Sequence, residues 1–465
     1  MAGLLWRRAG RGTVLLAALS LGAGCSDDPY NPPIFPFLAS YKAQADSVPR
    51  VLDNLGWCTG FNDHTLNSLV ETALAGSLNL SLAQERVIEA RAARDSLPMA
   101  ASLSPSARVQ RERVDGGSDL TRSEATLGFD WLLDIYGARR AQIEAAGARI
   151  EVADAEVDAA RLLLLLNLAN AYVDLRFQQN SLHLRRAELR SRGQTLDLVK
   201  SLFEGDAATR IDVVRARALV SETRAELPGI EAAIAGLKNQ IAVLSGRIPG
   251  LPMIDLDART PQPRPSLSPQ VGIPADLLRN RPDIRIAERS YYAALRDVKT
   301  ATAALYPQLS LGGTLSLASL SGSRTTDYVF GPALRLPVLP VSGQRASVEL
   351  RESRVRQAHT GWRIAVLEAI GEVESALTNY EASGKARRDA QETVRLYTEA
   401  VNLTRESVTR DGGTVRDLID AERNLSVANI GLANALRQLG RSYIALNVSL
   451  GAGNSYGSAP QIAAK

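Results

Sequence analysis

The sequence predicts a mixed α and β membrane protein in which several copies of the chain build one β-barrel. Three observations lead to this class. Two long stretches, 106–227 and 341–459, contain no proline and are rich in residues that favour helices. Four short segments alternate apolar and polar residues, as half-exposed strands do. The two halves of the chain also share turn and strand signals in the same order, which indicates an internal duplication.

Composition excludes several classes of protein. The chain has 465 residues, with 54 Lys plus Arg against 50 Asp plus Glu, so its net charge of +4 does not favour a nucleic-acid partner. Its 45% of hydrophobic residues excludes disorder along the whole chain. The histidines, His64, His183 and His359, are far apart in the sequence, and neither a metal-ligand spacing nor a phosphate-binding loop occurs. We therefore expect no enzyme activity, no cofactor and no metal site.

The N-terminus predicts export and a lipid anchor. Three arginines precede an apolar run, and small residues then lead to Cys25. This pattern is typical of a secretory signal, residues 1–24, and it resembles a bacterial lipoprotein signal in which Cys25 is lipidated, although Gly22 stands where such signals usually have leucine. The alternative is an ordinary signal peptide that leaves Cys25 as a spare thiol. Acylation of Cys25 would leave Cys58 as a free thiol.

Paired signals in the two halves define the domain organisation. Each pair is offset by about 207 residues: Leu97-Pro98 with Tyr306-Pro307, Gly137-Ala138-Arg139 with Gly343-Gln344-Arg345, and Gly205-Asp206-Ala207 with Gly412-Gly413-Thr414. Prolines cluster between the halves and indicate a linker. The predicted order is a signal peptide (1–24), a lipidated extension (25–60), a first repeat (61–248), a Pro-rich linker (249–273), a second repeat (274–451) and a flexible tail (452–465).

Each repeat is predicted to contain a helix, two strands, a very long helix and a further helix. The long helices are expected over 139–204 and 344–410, and at 1.5 Å per residue each would reach roughly 100 Å. The shorter helices are expected over 62–97, 206–246, 275–305 and 414–450. Pro228 predicts a kink or a restart in the second of these.

The alternating segments predict strands over 101–110, 124–132, 308–317 and 327–336. In one of them Leu127, Phe129 and Trp131 alternate with polar or small residues. About ten residues suffice for a tilted barrel strand to cross a bilayer with its apolar face to lipid, although a half-buried soluble sheet fits the alternation equally well. Export and the Ser, Thr, Gly and Gln of the polar face favour the membrane. Four strands are fewer than the roughly eight that closure needs, whereas a trimer would supply three times four, that is 12.

Several motifs together carry a family resemblance. The longest is Pro274-Ala275-Asp276-Leu277-Leu278-Arg279-Asn280-Arg281-Pro282-Asp283, supported by Phe61-Asn62-Asp63, Leu133-Asp134-Ile135-Tyr136-Gly137-Ala138-Arg139, Tyr306-Pro307-Gln308-Leu309 and Gly331-Pro332-Ala333-Leu334. Over nearly the whole mature chain the sequence resembles TolC-like outer membrane efflux factors, in particular the NodT-type lipoproteins.

The resemblance implies a fold and a set of partners. It implies a homotrimer in the outer membrane of a Gram-negative bacterium, with a 12-stranded barrel continuous with a periplasmic α-helical barrel. The implied function is a passive exit duct for small molecules in a tripartite efflux system of the RND type. A periplasmic adaptor and an inner-membrane pump would be its partners, and acylated Cys25 would hold it to outer-membrane lipid.

The candidate working residues lie where the long helices end. The resemblance implies that the turns with Gly205, Asp206, Gly412, Gly413 and Thr414 meet the adaptor. Helix capping alone also explains these residue types.

Two aspartates beyond the second turn, Asp417 and Asp420, are three residues apart and share a helix face. They match the family's paired aspartates at the periplasmic gate, where three copies would form acidic rings. A solvated acidic face near a helix N-terminus is the alternative. Asp212 holds a similar place in the first repeat, but Arg215 follows it there.

Other functions stay open at this point. The chain could be a periplasm-spanning structural lipoprotein without a conducting path, or a duct for type I protein secretion. The cargo is not encoded in any recognisable feature of the sequence.

Overall fold

The structure is a computed structural model of one chain. It describes residues 34–36, 56–113, 120–251, 256–258, 260–265, 280–320, 323–410, 412 and 414–453. The predicted signal peptide, Cys25, Asp411, Gly413 and the predicted tail beyond residue 453 lie outside the described residues.

The observed elements follow the predicted order closely. In chain order they are α1 (Gly56–Thr59), α2 (His64–Gly76), α3 (Leu78–Asp95), β1 (Ala101–Glu112), β2 (Leu120–Leu133), α4 (Ala138–Glu204), α5 (Arg210–Leu244), α6 (Pro282–Ala303), β3 (Gln308–Leu320), β4 (Ser323–Arg335), α7 (Ser342–Thr409) and α8 (Val415–Ser449). Both long helices are present with nearly the predicted bounds. The strands predicted from alternation are also present.

Two sequence-based expectations about helix bounds are wrong, and of the two outcomes predicted for Pro228 the restart does not occur. The helix expected over 62–97 is divided at Ser77, which adopts an extended conformation and separates α2 from α3. Residues 206–209 form a turn, so α5 begins only at Arg210. Pro228 neither ends nor restarts α5, which is assigned continuously through it. Because Pro228 is exposed, the carbonyl that loses its amide donor there can bond water.

Contacts divide the chain into two compact units. The first contains the described residues of Met1–Phe35, Arg86–Asp154 and Ile286–Ile364; the second contains those of Pro36–Glu85, Ala155–Arg285 and Ala365–Lys465. The first unit therefore holds the strands, and the second holds the ends of the long helices with the turns that follow them.

The first unit contains one antiparallel sheet with strand order β1-β2-β3-β4. Its register aligns Leu103, Phe129, Gly313 and Phe330 on one face. The rings of Phe129 and Phe330 stack at 6.4 Å across Gly313, where an added Cβ would lie 2.8 Å from the Phe330 ring. Leu103 and Phe330 are 67% and 66% exposed in the single chain. One chain therefore leaves an apolar sheet face uncovered.

The opposite face of the sheet is polar. The register aligns Ser106, Thr126, Ser316 and Asp327 across all four strands, and the Thr126 and Ser316 hydroxyl oxygens are 3.4 Å apart.

Strand β4 ends at Arg335, so Leu336, which the alternation assigned to this strand, lies just beyond it. It precedes Pro337, which has no amide to extend the ladder.

The second unit has an apolar core built from α1, α2, α4, α5 and α8. Phe61 packs edge-on against Tyr443 at 5.2 Å, and Leu66, Leu165 and Leu168 are fully buried beside them. Cys58 is a free thiol in this core, as expected, and burial raises its pKa to about 12. A thiol with this pKa stays protonated at neutral pH, so it behaves as a small apolar side chain.

A buried arginine fastens the linker to this core. Arg176 is fully buried on α4; its guanidinium donates to the Tyr172 hydroxyl at 3.0 Å and to the Ala258 carbonyl at 2.8 Å. Tyr172 in turn donates to Asp63 at 2.7 Å, and the other carboxylate oxygen of Asp63 accepts two amides at the start of α2. Burial and the hydrogen bond to Asp63 raise the pKa of Tyr172. The chain of bonds thus joins α2, α4 and the linker.

Replacing Arg176 should cost far more stability than replacing an exposed arginine of the same helix. Arg176→Met leaves the Tyr172 hydroxyl and the Ala258 carbonyl without their donor, and we expect a loss of about 2–3 kcal/mol. Arg186→Met removes an exposed pair with Glu231 and should cost about 1 kcal/mol or less. Denaturant unfolding of the two variants measures the difference. Equal losses would contradict the role of Arg176.

Candidate functional site at the helix-ending turns

The first turn follows α4 and is closed by backbone hydrogen bonds. The Ala207 amide donates to the Leu202 carbonyl at 2.7 Å, and Asp206 adopts a left-handed conformation with φ of 58°. The left-handed residue is therefore Asp206 and not Gly205. Aspartate tolerates this region better than most side chains do. Gly205 and Asp206 are both exposed.

The second turn follows α7 in a related way. The Gly412 amide donates to the Ser407 carbonyl at 3.0 Å, and Gly412 and Thr414 are exposed. Gly413, which the sequence placed among the tip residues, lies outside the described residues.

Both turns end in the same capping arrangement. The Thr209 hydroxyl donates to Asp212 at 2.6 Å and accepts the Asp212 amide at 3.3 Å; Thr414 and Asp417 repeat both contacts at 2.6 and 3.3 Å. The backbone amides of Thr209 and Thr414 donate to the same carboxylates, which completes two capping boxes. Helix capping, which the sequence offered as an explanation of the turn residues, is thus present at Thr414, with Asp417 as its partner. Capping also holds its carboxylate in one place.

The cap determines the charge of these two carboxylates. The pKa of Asp212 and of Asp417 is held below the usual range, chiefly by the hydrogen bond from the side chain of the capping threonine. The hydrogen bond from the backbone of the same threonine lowers it further. Hydrogen bonds to a carboxylate favour its ionised form. Both groups are therefore negatively charged at neutral pH.

Asp420 is free of the cap and differs between the repeats. It lies one turn beyond Asp417, its side chain is 62% exposed, and its nearest cation is Arg416 at 4.0 Å. The capping boxes of the two repeats are offset by 205 residues (414 − 209), which aligns Asp420 with Arg215. The second turn therefore carries two acidic groups on one helix face, whereas the first carries an acid and a base.

Sequence analysis did not identify the carboxylate of Glu422, which links three helices close to this site and is called the brace below. Glu422 on α8 accepts hydrogen bonds from Ser191 and Thr195 on α4, at 3.1 Å each, and from Arg405 on α7 at 2.8 Å. Its side chain is only 10% exposed. Three helices thus share one carboxylate two residues beyond Asp420. No local pattern marks Glu422, because its partners lie far away in the sequence.

The described part of the chain lacks two further features. Its helices include none with the length and apolar character of a membrane span. Its His, Cys, Asp and Glu side chains form no group of three suited to holding a metal ion.

Comparison with known proteins assigns the class and then the family. The fold matches that of the outer-membrane channel OprN with a TM-score of 0.83 and 28% identity, covering 91% of this chain and 98% of that one. The chain is thus similar to outer-membrane channels. Residues 69–247 and 273–452 match the outer membrane efflux protein family, and the chain belongs to this family.

Curated relatives agree with this assignment. The chain is 34% identical over 445 residues to Nodulation protein T of Rhizobium leguminosarum bv. trifolii, covering 93% of this chain and 95% of that protein. It is 25% identical over 434 residues to the Pyoverdine export outer membrane protein OpmQ of Pseudomonas putida, covering 89% and 92%.

The family confirms the main sequence-based predictions. The resemblance to TolC-like efflux factors, the fold class and the role as an efflux exit duct are confirmed. Family members form trimeric outer-membrane channels that work in tripartite efflux systems. The structural-lipoprotein alternative without a conducting path is therefore not supported.

The cap also predicts a pH dependence. Because the pKa of Asp417 is lower in the folded chain than its ordinary value of 3.8, its contribution to stability is present above that value and is lost as pH falls through the lowered pKa. We expect Asp417→Asn to flatten the acid limb of a plot of melting temperature against pH. Glu399→Gln, at an exposed site on α7, is the control and should leave the limb unchanged. An unaltered limb in Asp417→Asn would show that the cap does not hold this carboxylate.

Proposed function

We propose that this chain forms the trimeric exit duct of a tripartite efflux pump and that Asp417 and Asp420 restrict its periplasmic entrance. The observation that carries the gate is the capping box, which keeps Asp417 ionised and leaves Asp420 exposed one turn further along the same face. In three copies this pair gives two acidic rings. Rings of carboxylates favour cations in a narrow pore.

Asp212 contributes to the gate in a different way. Its carboxylate is held by the same cap, but Arg215 stands where Asp420 stands in the other repeat. The base reduces the negative field of the first turn. The entrance therefore has acidic sectors from the second repeat alternating with nearly neutral sectors from the first.

The exposed turns are proposed as the docking tips for a periplasmic adaptor. Gly205, Asp206, Gly412 and Thr414 combine short side chains with closed backbone turns, which suits the close approach of another backbone. Gly413 is included in the proposed tip on its place in the sequence. The adaptor joins the duct to an inner-membrane pump that supplies the energy. The pump is of the RND type, and the duct itself conducts passively.

The N-terminus is proposed to anchor the duct. Cleavage of residues 1–24 leaves Cys25 as an acylated N-terminus, and Ser26 suits sorting to the outer membrane of a Gram-negative cell. The anchor adds to the membrane attachment that the barrel itself provides.

Single-channel conductance in planar bilayers tests the gate. Asp417→Asn with Asp420→Asn should enlarge the small cation-selective openings or abolish their selectivity, because both acidic rings lose their charge. Glu392→Gln with Glu399→Gln removes the same charge from exposed α7 positions and should change neither. Unchanged openings in the first double variant would refute the gate. A folded, inserted wild type without conductance would refute the duct.

Adaptor docking is tested at Gly205. An added Cβ there makes only ordinary contacts, at 3.7 Å or more, so larger residues fit the turn itself. We expect Gly205→Tyr to form normal trimers but to lose adaptor cross-linking and efflux, whereas Gly205→Ser keeps both. Full cross-linking in Gly205→Tyr would show that the adaptor docks at another surface.

A further inference from the structure

A residue close to the proposed lipid anchor packs on a distant helix. The ring of Phe35 meets the ring of Trp362 on α7 edge-on, with centroids 6.0 Å apart and an interplanar angle of 80°. Edge-to-face packing is a preferred arrangement of aromatic rings. Trp362 is only 1% exposed, whereas the neighbouring Ile34 is 95% exposed. Among the described residues 34–36, Phe35 therefore makes the ring contact with the helix.

The receiving surface is an aromatic site formed by Tyr291, His359 and Trp362. His359 stacks on Trp362 at 6.0 Å and 27°, and Tyr291 of α6 lies against His359 at 5.4 Å. These residues and Phe35 all belong to the first compact unit. The aromatic site is thus built from side chains of α6 and α7.

The sequence around Phe35 suits docking at low entropic cost. Phe35 precedes Pro36, and a residue before proline is biased towards extended conformations. Proline also fixes its own φ angle. A segment restricted in this way loses less freedom when it docks on an aromatic surface.

We propose that Phe35 is a clip that fastens the N-terminal segment to the aromatic site and so sets the length of the lipid tether. The proposal rests on the proposed acylation of Cys25. With the clip closed, the ten residues from Cys25 to Phe35 span at most about 35 Å. Without it, the next described buried residue is Trp57, and the tether could span about 110 Å.

A longer tether holds the acyl group less effectively near the duct. The effective concentration of a tethered group falls as the −3/2 power of tether length, so a threefold longer tether lowers it roughly fivefold. The clip therefore raises the effective concentration of the acyl group beside the duct. Its loss should matter only to a chain that carries the acyl group.

Radical footprinting of the full-length purified trimer tests the clip itself. We expect Phe35→Ala to raise the oxidation rate of Trp362 relative to Trp57, a buried tryptophan in the second unit that serves as an internal reference. Ile34→Ala is the matched control, because it removes an exposed apolar side chain next to the clip. Phe35→Tyr should retain the wild-type rate. Equal Trp362 oxidation in all variants would overturn the proposal.

A double-mutant cycle in cells tests the tether. At limiting expression, Phe35→Ala should lower the amount of outer-membrane trimer when Cys25 is present. It should have no further effect in Cys25→Ser exported by an ordinary cleavable signal peptide. An equal loss in both backgrounds would overturn the tether role.

Mass spectrometry of the N-terminus separates this proposal from the one that it rests on. An acylated Cys25 supports the anchor. An unmodified Cys25 would refute both the proposed anchor and the tether role, whereas the oxidation of Trp362 would still decide whether Phe35 docks on the aromatic site.

Discussion

The uncovered apolar face of the four-stranded sheet is the constraint on which the rest of the protein depends. Within the described residues, β1 and β4 each have only one partner strand, and large apolar side chains such as Phe330 face outward on a single chain. Unpaired strand edges do not occur in lipid, and exposed apolar surface is costly in water. Closure with further copies pairs the edges, and the lipid of the bilayer covers the apolar face. Trimeric assembly in this family is thus a consequence of how few strands one chain supplies.

Duplication explains why the two turns share a plan and also why they differ. The threonine–aspartate capping boxes are nearly identical in their distances, since each must start a helix directly after a tight turn. The next turn of each helix is under no such constraint. Arg215 and Asp420 differ there, so the shared cap preserves the fold while the neighbouring position is free to set the charge.

Polar groups, and not only apolar contacts, arrange the helices within the second unit. Arg176 and Glu422 are both charged and poorly exposed. Arg176 joins α4 to the linker directly and to α2 through Tyr172, whereas Glu422 on α8 bonds to α4 and α7. A charge of this kind is tolerated only when hydrogen bonds replace its lost water. Such groups restrict how the helices can be arranged more strongly than interchangeable apolar side chains do.

The sequence by itself determined the elements, the repeat and the family. Period-two alternation around Phe129 and the absence of proline over 106–227 are local signals, and local signals specify strands and long helices. The capping residues could also be anticipated, since threonine and aspartate three residues apart are a known helix start.

Only the tertiary structure decided which residues far apart in the sequence meet. The stacking of Phe129 on Phe330 across Gly313, the brace at Glu422 and the contact of Phe35 with Trp362 each join distant segments. It likewise decided that Pro228 stays within α5, because the exposure of a helix face depends on its neighbours. Sequence periodicity reports the environment of a residue along its own element, whereas the identity of its partners depends on how the elements pack.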